Sequence, residues 1–152
     1  MQQSESWLAL HSRAVSRTAD GPLYLVIGLA ASSLVPDATA FLATLLLSTA
    51  LERSLYWLMK NSMRRRRPAD ALPGFRSSIT AADEFSFPSG HTSAAFLFAT
   101  LLLLQFGPIV MPLFAWAVAV GASRVYLGVH FPTDTVIGAI LGTSIACLSW
   151  FS

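Results

Sequence analysis

Five apolar runs constrain this chain more than any other feature: residues 22–35, 38–60, 91–106, 109–128 and 132–151, divided by short polar or Pro/Gly breaks. A helix that crosses the hydrocarbon core of a bilayer needs about 20 residues, within a range of roughly 17–25. The four later runs are read as spans. The run 22–35 is short and reaches across only by tilting or by thinning the bilayer. Composition points the same way: 54% of residues are hydrophobic and 12% charged, against about 25% charged in soluble domains. The expected fold is therefore all-α, an integral membrane bundle of about five transmembrane helices forming a single domain over residues 1–152.

Residues 1–20 read differently. The stretch "SWLALHSRAVSRTA" is too polar to span, but Trp7, Leu8, Leu10, Ala14 and Val15 share a broad arc with Arg13 and Arg17 beside it. That is the pattern of an amphipathic helix lying in the membrane interface. Asp20-Gly21-Pro22 ends it, with Pro22 suited to the first turn of the next helix. The polar start "MQQSES" lacks the marks of a cleaved secretory leader. The single cysteine, Cys147, excludes an internal disulfide and a cysteine-rich zinc site.

Alternation of the runs across the bilayer gathers the chemistry. The loop 61–90, the turn 129–131 and the N-terminal helix fall on one side; the breaks at Pro36 and Gly107-Pro108 fall on the other. Three polar islands share the first side. Lys60 ends one run, and Arg67-Pro68 follow. "FPSGHTS" opens the run at 91. "SRVYLGVHFPTD" supplies Arg124, His130 and Asp134.

Lys60, Arg67 and Arg124 are long cations able to converge on one phosphate, arginine with a planar fork and lysine with a point charge. Gly90 permits close backbone approach at a helix start, where outward N–H groups, the Ser89 hydroxyl and the helix dipole suit an anion. Asp134, four residues after His130, is placed to orient the imidazole and stabilise its charged form. An oriented neutral imidazole is a nucleophile, and His91 is a candidate acid for the leaving group. The reading is phosphoester cleavage through a phosphohistidine, its charge stabilised by cations and amides without a metal.

Each piece also has a simpler reading. His-x-x-x-Asp occurs as a capping bond, "PSG" as a turn, and a basic run as the solvated flank of a span. The last reading is kept for Arg64, Arg65 and Arg66. His11 is read as interfacial and inert. Glu52 and Arg53 lie inside a run, where charge is costly and faces the bundle interior. They are read as a structural pair, with a route to the site as the alternative.

The three signatures Lys-x6-Arg-Pro, Pro-Ser-Gly-His and Ser-Arg-x5-His-x3-Asp, intact across residues 60–134, resemble those of the type 2 phosphatidic acid phosphatases. That family shares a superfamily with vanadium haloperoxidases and bacterial acid phosphatases. The resemblance implies phosphate binding by Lys60, Arg67, Ser89, Gly90 and Arg124. It implies His130 as nucleophile, Asp134 as its orienting partner and His91 as general acid, with no metal and no cofactor. It also implies a lipid phosphate or diphosphate substrate such as phosphatidic acid, phosphatidylglycerol phosphate or a polyprenyl diphosphate. The expected partners are that lipid and the bilayer of a bacterial inner membrane, with no nucleic acid.

Sidedness is read two ways. Arg13, Arg17, Arg64, Arg65, Arg66 and Arg76 favour a cytoplasmic site by the positive-inside rule, whereas the resemblance favours the periplasmic or luminal face. The competing activities are a lipid phosphotransferase with the same phosphohistidine, a haloperoxidase, and a non-catalytic lipid-binding or transport protein. The intact His91, His130 and Asp134 argue against the last, because binding alone does not require both histidines.

Overall fold

The computed structural model describes residues 7–81 and 83–151, and every regular element among them is helical. In order these are α1 (Trp7–Arg17), α2 (Gly21–Ser32), α3 (Ala38–Met63), α4 (Pro68–Ala71), α5 (Gly90–Phe106), α6 (Pro112–Tyr126) and α7 (Pro132–Trp150), with a 3₁₀ turn at Gly107–Val110. Proline sets many of the starts. Pro22, Pro68, Pro112 and Pro132 stand in first turns, where a missing N–H leaves no bond unmade and the fixed φ suits the helix. Asp37 starts α3 instead, its carboxylate accepting the Ala40 N–H at 2.9 Å. Arg64 ends α3 in the left-handed region, at φ 45°.

α5 is the centre of the bundle and packs against α3, α6 and α7. Its Ala95, Leu97, Phe98, Ala99, Leu101 and Leu102 are buried. The α5–α7 contact is backbone to backbone. A Cβ added at Gly142 would meet the Ser93 carbonyl oxygen at 2.0 Å, and one at Gly138 would meet that of Ser89 at 2.6 Å. Two glycines four residues apart on α7 thus give the close approach that small residues give between membrane helices. One consequence lies at the end of the seam: the Ser89 N–H donates to the Asp134 carbonyl at 2.9 Å. The second and third signatures are joined by main chain.

Two helical stretches, Gly90–Val110 and Pro132–Trp150, are long and apolar enough to cross a bilayer. The other expected spans differ from them. α3 has 26 residues but carries Glu52, Arg53 and Lys60, while α2 and α6 have 12 and 15 residues. At about 1.5 Å per residue the last two measure roughly 18 and 22 Å. Large apolar side chains, among them Leu25, Leu29, Leu46, Leu47, Val118, Ile140 and Leu148, cover the outer surface of the bundle.

The expected interfacial segment 1–20 is helical from Trp7, and residues 1–6 lie outside the described residues. Its apolar arc splits. Trp7, Leu8 and Leu10 face outward, whereas Val15 packs against the buried cluster of Ala19, Ala95, Ala117 and Val120. The helix is docked on α6 rather than lying free, and Arg13 donates to the Ser78 carbonyl at 2.6 Å. α1 therefore roofs the polar end of the bundle.

Candidate active site

The polar ends of α3, α5, α6 and α7 surround a cavity of about 450 Å³, which Lys60, Arg67, Gly90, His91, Arg124 and His130 all line. The three signatures, spread over residues 60–134, meet there.

His130 sits on the turn before α7 and is 3% exposed. Its Nδ1 lies 2.6 Å from the Ser86 carbonyl oxygen and 3.8 Å from Asp134 Oδ2. A carbonyl only accepts, so Nδ1 carries the proton and Nε2 keeps its lone pair. Burial lowers the imidazole pKa below its ordinary value, and the charges of Arg67 and Arg124 add to this against the pull of Asp134. The ring is neutral at pH 7.

Asp134 is fully buried. Its Oδ2 accepts the Phe131 N–H at 2.8 Å, the capping bond of α7, and its Oδ1 accepts from Arg65 Nη1 at 2.8 Å. Arg65 also donates to the Thr133 hydroxyl at 2.6 Å and lies over the Phe131 ring. The solvated reading of the basic run thus fails at Arg65, which braces the aspartate. Its position in "RRRR" concealed this, because four like residues in a row carry no signal of which one turns inward.

The cations are already engaged. Lys60 Nζ donates to Asp83 Oδ2 at 2.6 Å and Tyr56 OH donates to the same oxygen at 2.8 Å. Arg67 binds Asp83 Oδ1 through Nη2, the Asp83 carbonyl through Nε at 2.9 Å, and the Val129 carbonyl through Nη1 at 2.6 Å. Desolvation pushes the Asp83 carboxyl up. The hydrogen bonds from Lys60 and Tyr56, with the charges of Lys60 and Arg67, outweigh it and hold the group below the ordinary carboxylate range. Asp83 escaped the sequence reading, since one carboxylate in a polar loop carries no pattern. Arg124, on the last turn of α6, donates through Nη1 to Ser16 Oγ of α1 at 2.8 Å. Its buried Nε has no hydrogen-bond partner among the described residues.

At the start of α5, Gly90 and His91 face the cavity and Ser89 does not. The Ser89 hydroxyl is buried against Thr92 Oγ1 at 2.9 Å, and its N–H is taken by Asp134. His91 Nε2 lies 3.1 Å from Asp20 Oδ1. Asp20 stands at the N-cap of α2, yet its side chain makes no capping bond; the carboxylate is turned to the histidine instead. This partner also escaped the sequence reading.

The family model described as the PAP2 superfamily matches residues 38–152. An undecaprenyl-diphosphatase of Sulfolobus acidocaldarius is 33% identical over 112 residues, 70% of this chain and 52% of the relative. The chain thus spans about half the length of curated relatives it matches. Among solved structures, Aquifex aeolicus LpxE superposes with a TM-score of 0.82 at 28% identity, over 97% of this chain and 88% of that one. A transmembrane PAP2 type phosphatidylglycerolphosphate phosphatase from Bacillus subtilis superposes with a TM-score of 0.78 at 29% identity, over 97% and 77%.

Proposed function

Because the chain belongs to the PAP2 superfamily, we propose that it hydrolyses a phosphomonoester or diphosphate of a membrane lipid through a phosphohistidine. The observation that carries this is a buried, neutral His130, its Nδ1 proton fixed by a carbonyl, in a cavity rimmed by Lys60, Arg67 and Arg124.

In the first step His130 Nε2 attacks phosphorus as the bond to the leaving oxygen breaks, and His91 gives that oxygen a proton. Lys60, Arg67 and Arg124 balance the charge that spreads over the phosphoryl oxygens. The imidazole becomes cationic, and Ser86 O with the Asp134 carboxylate faces that charge. In the second step water attacks the phosphohistidine, His91 takes its proton, and inorganic phosphate leaves. Substrate phosphate competes with the Asp83 carboxylate for Lys60 and Arg67. An anion of higher charge with more acceptor oxygens wins that exchange.

The membrane reading extends to five spans: α2, α3, α5, α6 and α7. α3 turns Glu52 and Lys60 inward, at 1% and 6% exposure, and its Arg53 lines the polar cavity, the placement expected of charge within a span. On this reading the protein sits in a bacterial inner membrane, with the headgroup entering at the interface while the tails stay in lipid.

The test is phosphate release by detergent-purified protein, in chelator, across lipid phosphates. Release by the wild type and none by His130→Ala is the expected result. A fully active His130→Ala protein sinks the phosphohistidine.

A further inference from the structure

Arg53 lies outside all three signatures, yet its guanidinium lines the same cavity as Lys60, Arg124 and His130. We propose that Arg53 forms a subsite for a second phosphate, the lipid-proximal phosphate of a lipid diphosphate. The inference rests on the lipid-phosphatase reading and narrows its substrate class.

Position along the substrate argues first. Arg53 precedes Lys60 by seven residues on α3, roughly 10 Å deeper along the helix. A second, apolar groove of about 220 Å³ begins there, lined by Leu25, Leu45, Leu46, Leu97 and Phe98. Arg53, Tyr24 and Thr49 line both the polar cavity and this groove. Arg53 therefore stands where a headgroup passes into a lipid tail. A monoester presents only its ester oxygen at that depth, and a diphosphate presents a charged phosphate.

The arginine is also held for use. Its neighbour Glu52 is 1% exposed and pairs with it, while the Arg53 side chain stays 45% exposed. Nη2 reaches the Gly90 carbonyl at 3.2 Å, and the guanidinium lies 4.5 Å over the Tyr56 ring. Nε and Nη2 donate to the Glu52 carboxylate, so these contacts pin the guanidinium beside the start of α5 and leave its Nη1 edge for phosphate oxygens. The Tyr24 hydroxyl, buried and without a hydrogen-bond partner among the described residues, supplies a neutral donor at the same junction.

The chemistry balances. The terminal phosphoryl group passes to His130 Nε2, and the bridging oxygen departs with its electron pair on a lipid monophosphate. Arg53 stabilises the charge gained by that departing phosphate, so it acts on turnover as well as on binding.

Farnesyl diphosphate and farnesyl monophosphate, which share one tail, test this with wild type, Arg53→Gln and Arg53→Lys. The expected result is a loss in kcat/KM on the diphosphate that exceeds the loss on the monophosphate by about tenfold or more for Arg53→Gln, the scale of a charged hydrogen bond, with partial recovery for Arg53→Lys. Glu52→Gln/Arg53→Gln removes both charges and leaves no buried carboxylate unpaired, so the same split is readable if the single variant does not fold. Equal losses on the two substrates overturn the subsite while the phosphatase stands. A wild type no more active than His130→Ala on either ester overturns both.

Discussion

The α5–α7 seam and the α1–α2 roof both touch the candidate site, but they hold it by different means. The seam is backbone against backbone: glycines at 138 and 142 bring α7 onto α5, and Ser89 N–H meets Asp134 O directly. Among the described residues, the roof's hydrogen bonds to the site come from side chains, Ser16 to Arg124 and Asp20 to His91. A main-chain seam fixes the nucleophile region within tight limits, because no rotamer can absorb a shift there. Side-chain contacts adjust, and they suit the groups that must meet a leaving group or admit a lipid. Both histidines hang from main chain at the seam, His91 on the first turn of α5 and His130 just before α7, but the side-chain partner of His91, Asp20, comes from the softer roof.

The largest expected effect is at the seam. His130→Ala lowers the first-order rate of phosphate release by about 10⁴-fold or more, the scale of losing a nucleophile, while its melting temperature in detergent stays close to wild type. A melting transition lost together with activity breaks the distinction between chemistry and scaffold. Gly142→Ala comes next. Its Cβ would stand 2.0 Å from the Ser93 carbonyl oxygen, so the backbones must separate, at about 1–3 kcal/mol of stability. Thermal unfolding measures it, and an unchanged midpoint means the seam is softer than argued.

The roof yields smaller and more selective losses. Asp20→Asn lowers turnover of alkyl phosphates by about 10- to 100-fold, less than the roughly 10²–10⁴-fold of losing a general acid outright, and that of p-nitrophenyl phosphate by much less. An acid matters most when the leaving group is poor. A uniform loss across leaving groups shows that Asp20 serves only the fold. Asp83→Asn is smaller still. It frees Lys60 and Arg67 from a partly exposed carboxylate and tightens inhibition by vanadate about two- to fivefold. Weaker inhibition means Asp83 orients the cations instead of competing for them.

The pH profile reports on one atom, His130 Nε2. Neutral His130 supplies the attacking lone pair, and its pKa is lowered by burial, with Arg67 and Arg124 adding to this. Protonation as pH falls through that lowered value removes the nucleophile. The acid limb of kcat/KM is therefore expected below about pH 6.5, the ordinary histidine value. A limb above it, measured on a soluble short-chain substrate, contradicts the neutral buried imidazole.

Much of this molecule was legible in the residues. Apolar runs bounded by prolines gave helix positions within a few residues, because proline and hydrophobic patterning act locally. Of the eight site residues taken from the signatures, six line the cavity; Asp134 and Ser89, whose hydroxyl turned to Thr92 one turn away, do not. Span character was less legible, since α3 depends on which way Glu52 and Lys60 face. The partners of the site were not legible at all. Asp83 stands 23 residues from Lys60, Asp20 stands 71 from His91, and Arg65 stands 69 from Asp134. The group that sets the His130 tautomer is a backbone carbonyl, which every residue possesses. Local patterning was enough for a helical chain with a phosphate-binding set at one end of its apolar runs. Which carboxylates and carbonyls meet that set depends on where distant helices pack, and no local periodicity records that.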